Sequence, residues 1–181
     1  MDITDQVAQA TAVLVENSIK LLQSLHLDKE KGAYVGTSGG KDSVLITHLT
    51  EMAYPCWDFP LVHTTKPHET HPETLKFLYS MHRSIIYTTK ELHYTFNFTH
   101  QVDGTRIAEA TRNDGRSTDF ISNGKSYSRT ELQFFVPNGL FGLNFVYPIF
   151  DWSDDEVWTA IKLLDIKVSP EYKEEIQKWN L

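Results

Sequence analysis

Ala33-Tyr34-Val35-Gly36-Thr37-Ser38-Gly39-Gly40-Lys41-Asp42-Ser43 is the stretch that decides the fold of this chain. A short apolar run, Ala33 to Gly36, feeds a glycine-rich turn. After it Ser43, Val44, Leu45, Leu49 and Met52 take up a helical period, so the unit reads as strand, glycine loop, helix. Successive glycines between a strand and a helix let backbone N–H groups turn toward one point, where the helix N-terminus adds its positive dipole end. Such a turn suits an anion. Lys41 adds a full positive charge suited to a phosphate oxygen, and Ser38 and Ser43 add hydroxyl donors. The plainer reading is a left-handed turn followed by an exposed lysine.

Outward from this unit the chain alternates between two periods. Thr4 to about Leu25 places Val7, Ala10, Leu14, Ile19, Leu21, Leu22 and Leu25 at helical spacing, predicting one long amphipathic helix before the loop. Phe59–His63 reads as a second strand, followed by a polar loop and a helix that Pro72 starts. Ser84–Thr88 is a third strand, and Tyr94–Val102 another strand or extended segment. Arg106 to Asn113 predicts a helical turn, and Asn113 to Arg129 the most loop-like stretch. Phe134-Phe135-Val136 and Phe145-Val146-Tyr147, separated by Pro137-Asn138-Gly139, suggest a second sheet element. Ser153-Asp154-Asp155-Glu156 is a capping box for a helix carrying Val157, Ile161 and Leu164, and Ser169-Pro170 starts a last short helix. Strands alternating with helices predict an α/β fold, doubly wound around a mostly parallel sheet with helices on both faces, in a single domain over residues 1–181.

Composition narrows the functional classes. Seventeen Lys and Arg against 24 Asp and Glu give a net charge of −7, which argues against non-specific attachment to a nucleic-acid backbone. The single cysteine, Cys56, excludes an internal disulfide, a cysteine-held iron–sulfur cluster and a zinc knuckle, and fits a reducing, cytoplasmic compartment. The acidic N-terminus does not read as a signal peptide. Nowhere do 18 apolar residues run together, so no membrane association is expected.

Two loop templates fail. A Walker A loop requires glycine five residues before Gly40, where Val35 stands, and serine or threonine after Lys41, where Asp42 stands. Gly36-Thr37-Ser38-Gly39-Gly40 matches the nucleophile elbow literally. That fold, however, places several strands before the serine and a histidine after the acid, whereas one helix precedes the first strand here and the last histidine is His100. The hexapeptide Ser38-Gly39-Gly40-Lys41-Asp42-Ser43 resembles instead the PP-loop of the ATP pyrophosphatase and sulfonucleotide reductase superfamily. Pro72-Glu73-Thr74 is similar to an element of its phosphoadenylyl-sulfate (PAPS) reductase branch. So are Gly104-Thr105-Arg106 with Glu109 and Arg112, Pro148-Ile149 running through Trp152-Ser153 to Asp155-Glu156-Val157-Trp158, and Pro170-Glu171-Tyr172.

The resemblance implies an adenine-nucleotide α-hydrolase-like fold and an enzyme that binds ATP with Mg²⁺ and splits it between the α and β phosphates, adenylating an acceptor. It implies catalytic roles for Ser38, Lys41 and Asp42. It implies nucleotide binding by Thr37, Ser38, Gly39, Gly40, Lys41, Asp42, Ser43, Gly104, Arg106 and Arg112, with Asp42 toward the metal. The acceptor class it suggests is a base or nucleotide modified with sulfur or nitrogen, any sulfur or thiol coming from a donor protein. Two alternatives stand beside it: a sulfonucleotide reductase taking PAPS, and a non-catalytic nucleotide-binding module.

Two departures bear on these alternatives. Members of the superfamily carry Asp-Thr-Gly where this chain reads His63-Thr64-Thr65, and the reductases rely on a cysteine beyond the P-x-Y segment, whereas no cysteine follows position 56 here. His63, His68 and His71 with Glu69 and Glu73 make a metal site conceivable, against a solvated polar loop as the plainer reading. Arg106 and Arg112 suit phosphate oxygens, or else pair with Glu109. Trp152 and Trp158 read as core. Phe134, Phe135, Phe141 and Phe145 read as core or as the surface of a homo-oligomer.

Overall fold

The computed structural model describes residues 4–27, 32–56, 59–63, 70–81, 85–88, 98–106, 120–122, 125–127, 135–136 and 143–181. Helix α1 (Asp5–Ser24) leads into β1 (Ala33–Gly36), α2 (Lys41–Ala53), β2 (Leu61–His63), α3 (Pro72–Ser80), β3 (Ile85–Tyr87) and β4 (His100–Val102). Then follow β5 (Phe120–Ser122), β6 (Lys125–Tyr127), β7 (Phe135–Val136), β8 (Asn144–Val146), α4 (Asp154–Leu163), a 3₁₀ turn (Pro170–Tyr172) and α5 (Lys173–Trp179). The main sheet has the order β3-β2-β1-β4-β8-β7; its first five strands are parallel and β7 is antiparallel at the edge.

The local signals act as the sequence predicts. Thr4 caps α1 through the N–H of Val7, Pro72 opens α3 with His71 accepting the Glu73 N–H, and Ser153 and Glu156 form both halves of a capping box on α4. Strand β2 begins at Leu61 rather than Phe59, because Pro60 lacks an N–H; its carbonyl accepts from Val35 before the ladder proper starts.

The register sets Val35, Leu61, Val102 and Val146 abreast on one face. These residues join Val15 and Leu22 of α1, Val44, Leu45 and Leu49 of α2, Val157 and Ile161 of α4, and Trp152, Trp158 and Trp179 in one buried cluster. Each fully buried aliphatic side chain there contributes about 1.5–3 kcal/mol relative to exposure. Phe77 and Met81 at the end of α3 pack on the same cluster. Tyr34, Val62 and Leu143, with Ile86, Phe98 and Phe145, form a smaller cluster on the opposite face. Phe145 thus packs, partly buried, against this cluster. Phe134 and Phe141 lie outside the described residues.

Two expectations are corrected. Residues 113–129 are not all loop, since β5 and β6 pair antiparallel as Phe120↔Tyr127 and Ser122↔Lys125. Asn123-Gly124 is the two-residue turn signal between them. Nor do β7 and β8 make a second sheet: β8 pairs parallel with β4, so their hairpin supplies the edge of the main sheet. The helical turn expected at 106–113 falls outside the described residues beyond Arg106.

One buried hydroxyl on α4 has no hydrogen-bond partner among the described residues. Thr159 Oγ1 is shielded from solvent without a hydrogen bond. A buried polar group left unsatisfied is destabilising, and an apolar isostere removes that penalty. Thr159→Val is therefore expected to raise stability by about 1 kcal/mol, read as a higher urea midpoint at unchanged slope; a lower midpoint contradicts it.

Candidate functional site

The chain runs outward from β1 through β2 to β3, then returns to place β4 on the other side of β1. Strand order therefore reverses at β1, and in open α/β sheets a ligand crevice lies at the carboxyl ends of the strands flanking such a point. A cleft of about 260 Å³ occupies this place. One wall is the glycine loop with Gly36, Thr37, Ser38, Gly40 and Ser43; the facing wall is the end of β4 with Gln101, Asp103, Gly104 and Thr105; Tyr34 and Tyr172 close it.

The loop is held by its own hydroxyls. Ser43 Oγ donates to the Gly40 carbonyl at 2.8 Å and accepts from the Ser38 N–H at 3.3 Å. Thr37 Oγ1 accepts from the Gly39 N–H at 3.2 Å, and Ser38 Oγ from the Gly40 N–H at 3.2 Å. Helix α2 has Gly40 as its N-cap and no side-chain cap; the Lys41 N–H donates to the hydroxyl of Tyr172 at 3.3 Å. A helix end capped by glycine carries no side-chain acceptor of its own over its first turn, so an incoming acceptor competes at Lys41 only with the Tyr172 hydroxyl.

The starts of α3 and α4, Gly104 and the Pro170–Tyr172 turn all come up to this loop or to the first turn of α2. Gly39 sits at φ 82°, and a Cβ there would lie 2.4 Å from Cγ2 of Thr74. Thr74 in turn donates to Glu171 at 2.8 Å, joining the start of α3 to the 3₁₀ turn. A Cβ on Gly104 would lie 2.9 Å from the carbonyl carbon of Asp42, so only glycine lets the end of β4 approach the first turn of α2.

The charged residues take places the sequence did not indicate. Arg106 is 0% exposed. Its Nε donates to Asp42 at 2.7 Å, one Nη to Asp154 at 2.7 Å, and the other to the Trp152 carbonyl at 3.2 Å. Lys41 Nζ lies 2.9 Å from Asp42 and 3.4 Å from Asp154. Burial alone would weaken the charge on Arg106, but Asp42 and then Asp154 more than offset it and hold the guanidinium pKa above its ordinary value. Lys41, Asp42, Arg106 and Asp154 thus form a compensated ion cluster behind the cleft. Neither Lys41 nor Arg106 is among the residues lining the cleft, whereas Asp42 is. Arg112 and Glu109 lie outside the described residues.

Among the described residues, His63 and His71 do not come together in a group able to hold a metal. His63 is buried, with Nδ1 2.7 Å from the Thr37 carbonyl and Nε2 3.0 Å from the Thr70 hydroxyl. A carbonyl only accepts, so Nδ1 carries the proton and Nε2 accepts from Thr70. The imidazole ties the end of β2 to the loop. His71 caps α3, and His68 and Glu69 are outside the described residues. Among the described residues no three His, Cys, Asp or Glu side chains form a group able to hold a metal. Among the described lining residues the groups that could touch a Mg²⁺ ion are the carboxylates of Asp42 and Asp103, so such an ion would fit here as one held largely by the oxygens of a bound phosphate.

Sequence reasoning gave no role to Asp154, read only as part of a capping box, nor to Tyr34, Gln101 and Asp103. Asp103 Oδ1 accepts from the N–H and the hydroxyl of Thr105 at 2.9 and 2.6 Å, and Oδ2 accepts from Gln101 at 2.8 Å. Tyr34 donates to the other end of the Gln101 amide. Burial, and next the charge of Asp103, push the phenols of Tyr34 and Tyr147 well above their ordinary range, so both stay protonated. The place of Asp103 directly before the Gly104-Thr105-Arg106 segment was the available signal.

No family model matches the sequence, and no curated protein matches it. Solved structures do. Phosphoadenylyl-sulfate (PAPS) reductase from Candida auris, in a phosphate complex, superposes with a TM-score of 0.59 at 10% identity over 96% of this chain and 93% of that one. Yeast FAD synthetase in complex with FAD gives 0.67 at 14% identity, over 96% of this chain and 66% of that one. Candida glabrata FMN adenylyltransferase in complex with FAD and inorganic pyrophosphate gives 0.69 at 13% identity, over 95% of this chain and 63% of that one. The chain thus spans under two thirds of the adenylyltransferase and nearly all of the reductase. With its five parallel strands, its order reversal at β1 and its glycine loop beside α2, the chain has the adenine nucleotide α-hydrolase-like α/β fold.

Proposed function

We propose that this chain is a PP-loop enzyme that binds ATP in the β1–β4 cleft and transfers its adenylyl group to an acceptor. The observation that carries the reading is the cleft itself, with the glycine loop and the glycine-capped N-terminus of α2 on one wall and the end of β4 on the other. The acceptor attacks the α-phosphorus, the bond to the bridging oxygen breaks, and pyrophosphate leaves. Charge builds up on that leaving group, and the dipole of α2 stabilises it together with loop amides that exchange their hydroxyl acceptors for phosphate oxygens. The described lining presents two carboxylates, Asp42 and Asp103, and no cationic side chain. A polyphosphate therefore enters with its own cation, which is the role of Mg²⁺ in this reading. The acceptor class we favour is a base or nucleotide, any sulfur being delivered by a second protein.

A PAPS-reducing enzyme is the second reading, favoured by the near-complete overlap with the Candida auris structure. Reduction needs a thiol at the nucleotide. Cys56 is exposed and follows the far end of the 13-residue helix α2, a helix length of about 20 Å from the loop. That reading therefore requires a thiol from another molecule.

The test is thermal unfolding with ATP and Mg²⁺ followed by product analysis. At 100 times its dissociation constant the nucleotide adds about 2.7 kcal/mol, a rise of about 5–10 °C for a chain of this size. Slow turnover with water as acceptor yields AMP and pyrophosphate. Formation of ADP and phosphate, or no shift with Mg²⁺ and ATP, overturns the proposal.

A further inference from the structure

Resting on the nucleotide-binding reading above, we infer that Asp103 determines specificity in the cleft, accepting hydrogen bonds from the free vicinal hydroxyls of the nucleotide sugar and rejecting a nucleotide phosphorylated there. Three observations support it. Asp103 stands at the carboxyl end of β4, where a Cβ on Gly36 would lie 3.1 Å from its Oδ2 and 3.1 Å from the Gln101 amide nitrogen. The absence of a side chain at Gly36 brings this carboxylate up against the residue that leads into the glycine loop, within reach of a sugar whose phosphates lie on that loop.

The carboxylate is also held rigidly and has one direction left. Thr105 occupies Oδ1 with two donors, while Oδ2 takes one donor from Gln101, whose own orientation is set by the hydroxyl of Tyr34. Each carboxylate oxygen accepts about two hydrogen bonds, so Oδ2 retains acceptor capacity. An ionised carboxylate accepts and does not donate. Its ligand partner is therefore a donor such as a hydroxyl, never a phosphate oxygen.

Charge sharpens the discrimination. Asp42 is the other acid on the cleft, and among the described lining residues no lysine, arginine or histidine faces Asp103. Lys41 and Arg106 are committed to Asp42 and Asp154. A phosphate brought against Asp103 meets like charge with no counter-charge among the described lining residues, which in a half-buried site costs about tenfold in affinity or more. A hydroxyl lost from a bond to a charged acceptor costs about tenfold as well.

The experiment is calorimetric titration of the full chain with AMP, 2′-deoxy-AMP, 3′-deoxy-AMP and adenosine 3′,5′-bisphosphate at fixed Mg²⁺. Wild type is expected to bind AMP about tenfold more tightly than at least one deoxy form and than the bisphosphate. In Asp103→Asn, with folding checked by its thermal transition, these differences are expected to collapse to within about twofold. Equal binding of all four by wild type overturns the inference whether or not the variant folds. So does an unchanged order of affinities in a folded Asp103→Asn protein. If wild type binds neither AMP nor ATP, the nucleotide-binding reading itself fails and this one falls with it. If ATP and AMP bind but the sugar substituents are indifferent, only the assignment of Asp103 is lost.

Discussion

Arg106→Met lowers the stability of the protein by about 3–5 kcal/mol as an expected result, because it leaves two carboxylates without the cation that joins them. Asp42 accepts two bonds from this guanidinium and Asp154 a third, while the Trp152 carbonyl takes a fourth. The arginine side chain is wholly buried. Methionine replaces much of its volume, so the loss reports charge rather than a cavity. Lys41 stays between the same two acids and offsets one of the two charges. The double variant Arg106→Met/Asp42→Asn is expected to recover part of the loss, since residues in one ion network do not contribute additively. Urea denaturation of the two variants measures both quantities. A loss below about 1 kcal/mol for the single variant shows that water reaches the carboxylates, as at an exposed ion pair.

Gly39→Ala carries the second large effect. The residue sits at φ 82°, where a Cβ costs about 1–2 kcal/mol through backbone strain alone. The added methyl would also stand 2.4 Å from Thr74 Cγ2 and 3.2 Å from Leu78 Cγ, so either the loop or the start of α3 has to move. Moving the loop turns its amides out of the cleft. We expect a stability loss of about 2–4 kcal/mol and disappearance of the thermal shift with ATP and Mg²⁺. Thr74→Ser deletes the methyl that is struck yet keeps the hydroxyl that bonds Glu171. Gly39→Ala/Thr74→Ser is therefore expected to regain part of the stability, with the φ strain remaining. Unchanged nucleotide binding by Gly39→Ala would remove the loop from the site.

Strand β1, the loop and α2 were legible because a short apolar run gives way there to a helical period within a few residues, and both ends of that change are fixed locally. Local chemistry likewise announced Ser153 and Pro72 as helix starts. The pairing of Lys41 and Arg106 with Asp154 was not legible. It joins residues from three distant segments, and spacing along the chain carries no information about which carboxylate a buried cation meets. For the same reason Arg106 reads in sequence as an open anion contact and stands in the structure beneath the loop. The β5–β6 pair is a different kind of omission. A polar composition drew that segment toward loop, although Asn123-Gly124 between Phe120-Ile121 and Ser126-Tyr127 is itself a hairpin signal. His63 misleads through composition as well, since three nearby histidines suggest a metal, while its ring spans two oxygen groups of the protein.

The bond from the Lys41 N–H to the Tyr172 hydroxyl has a consequence for synthesis. The glycine loop leaves the ribosome long before the residue that touches its helix end. β4, which forms the facing wall, and the carboxylate of Asp154 also arrive late. A nascent chain stopped before Tyr172 has translated every residue of the loop and still lacks a finished cleft. The loop and the residue that steadies its helix end are therefore joined only when both ends of the chain are present together.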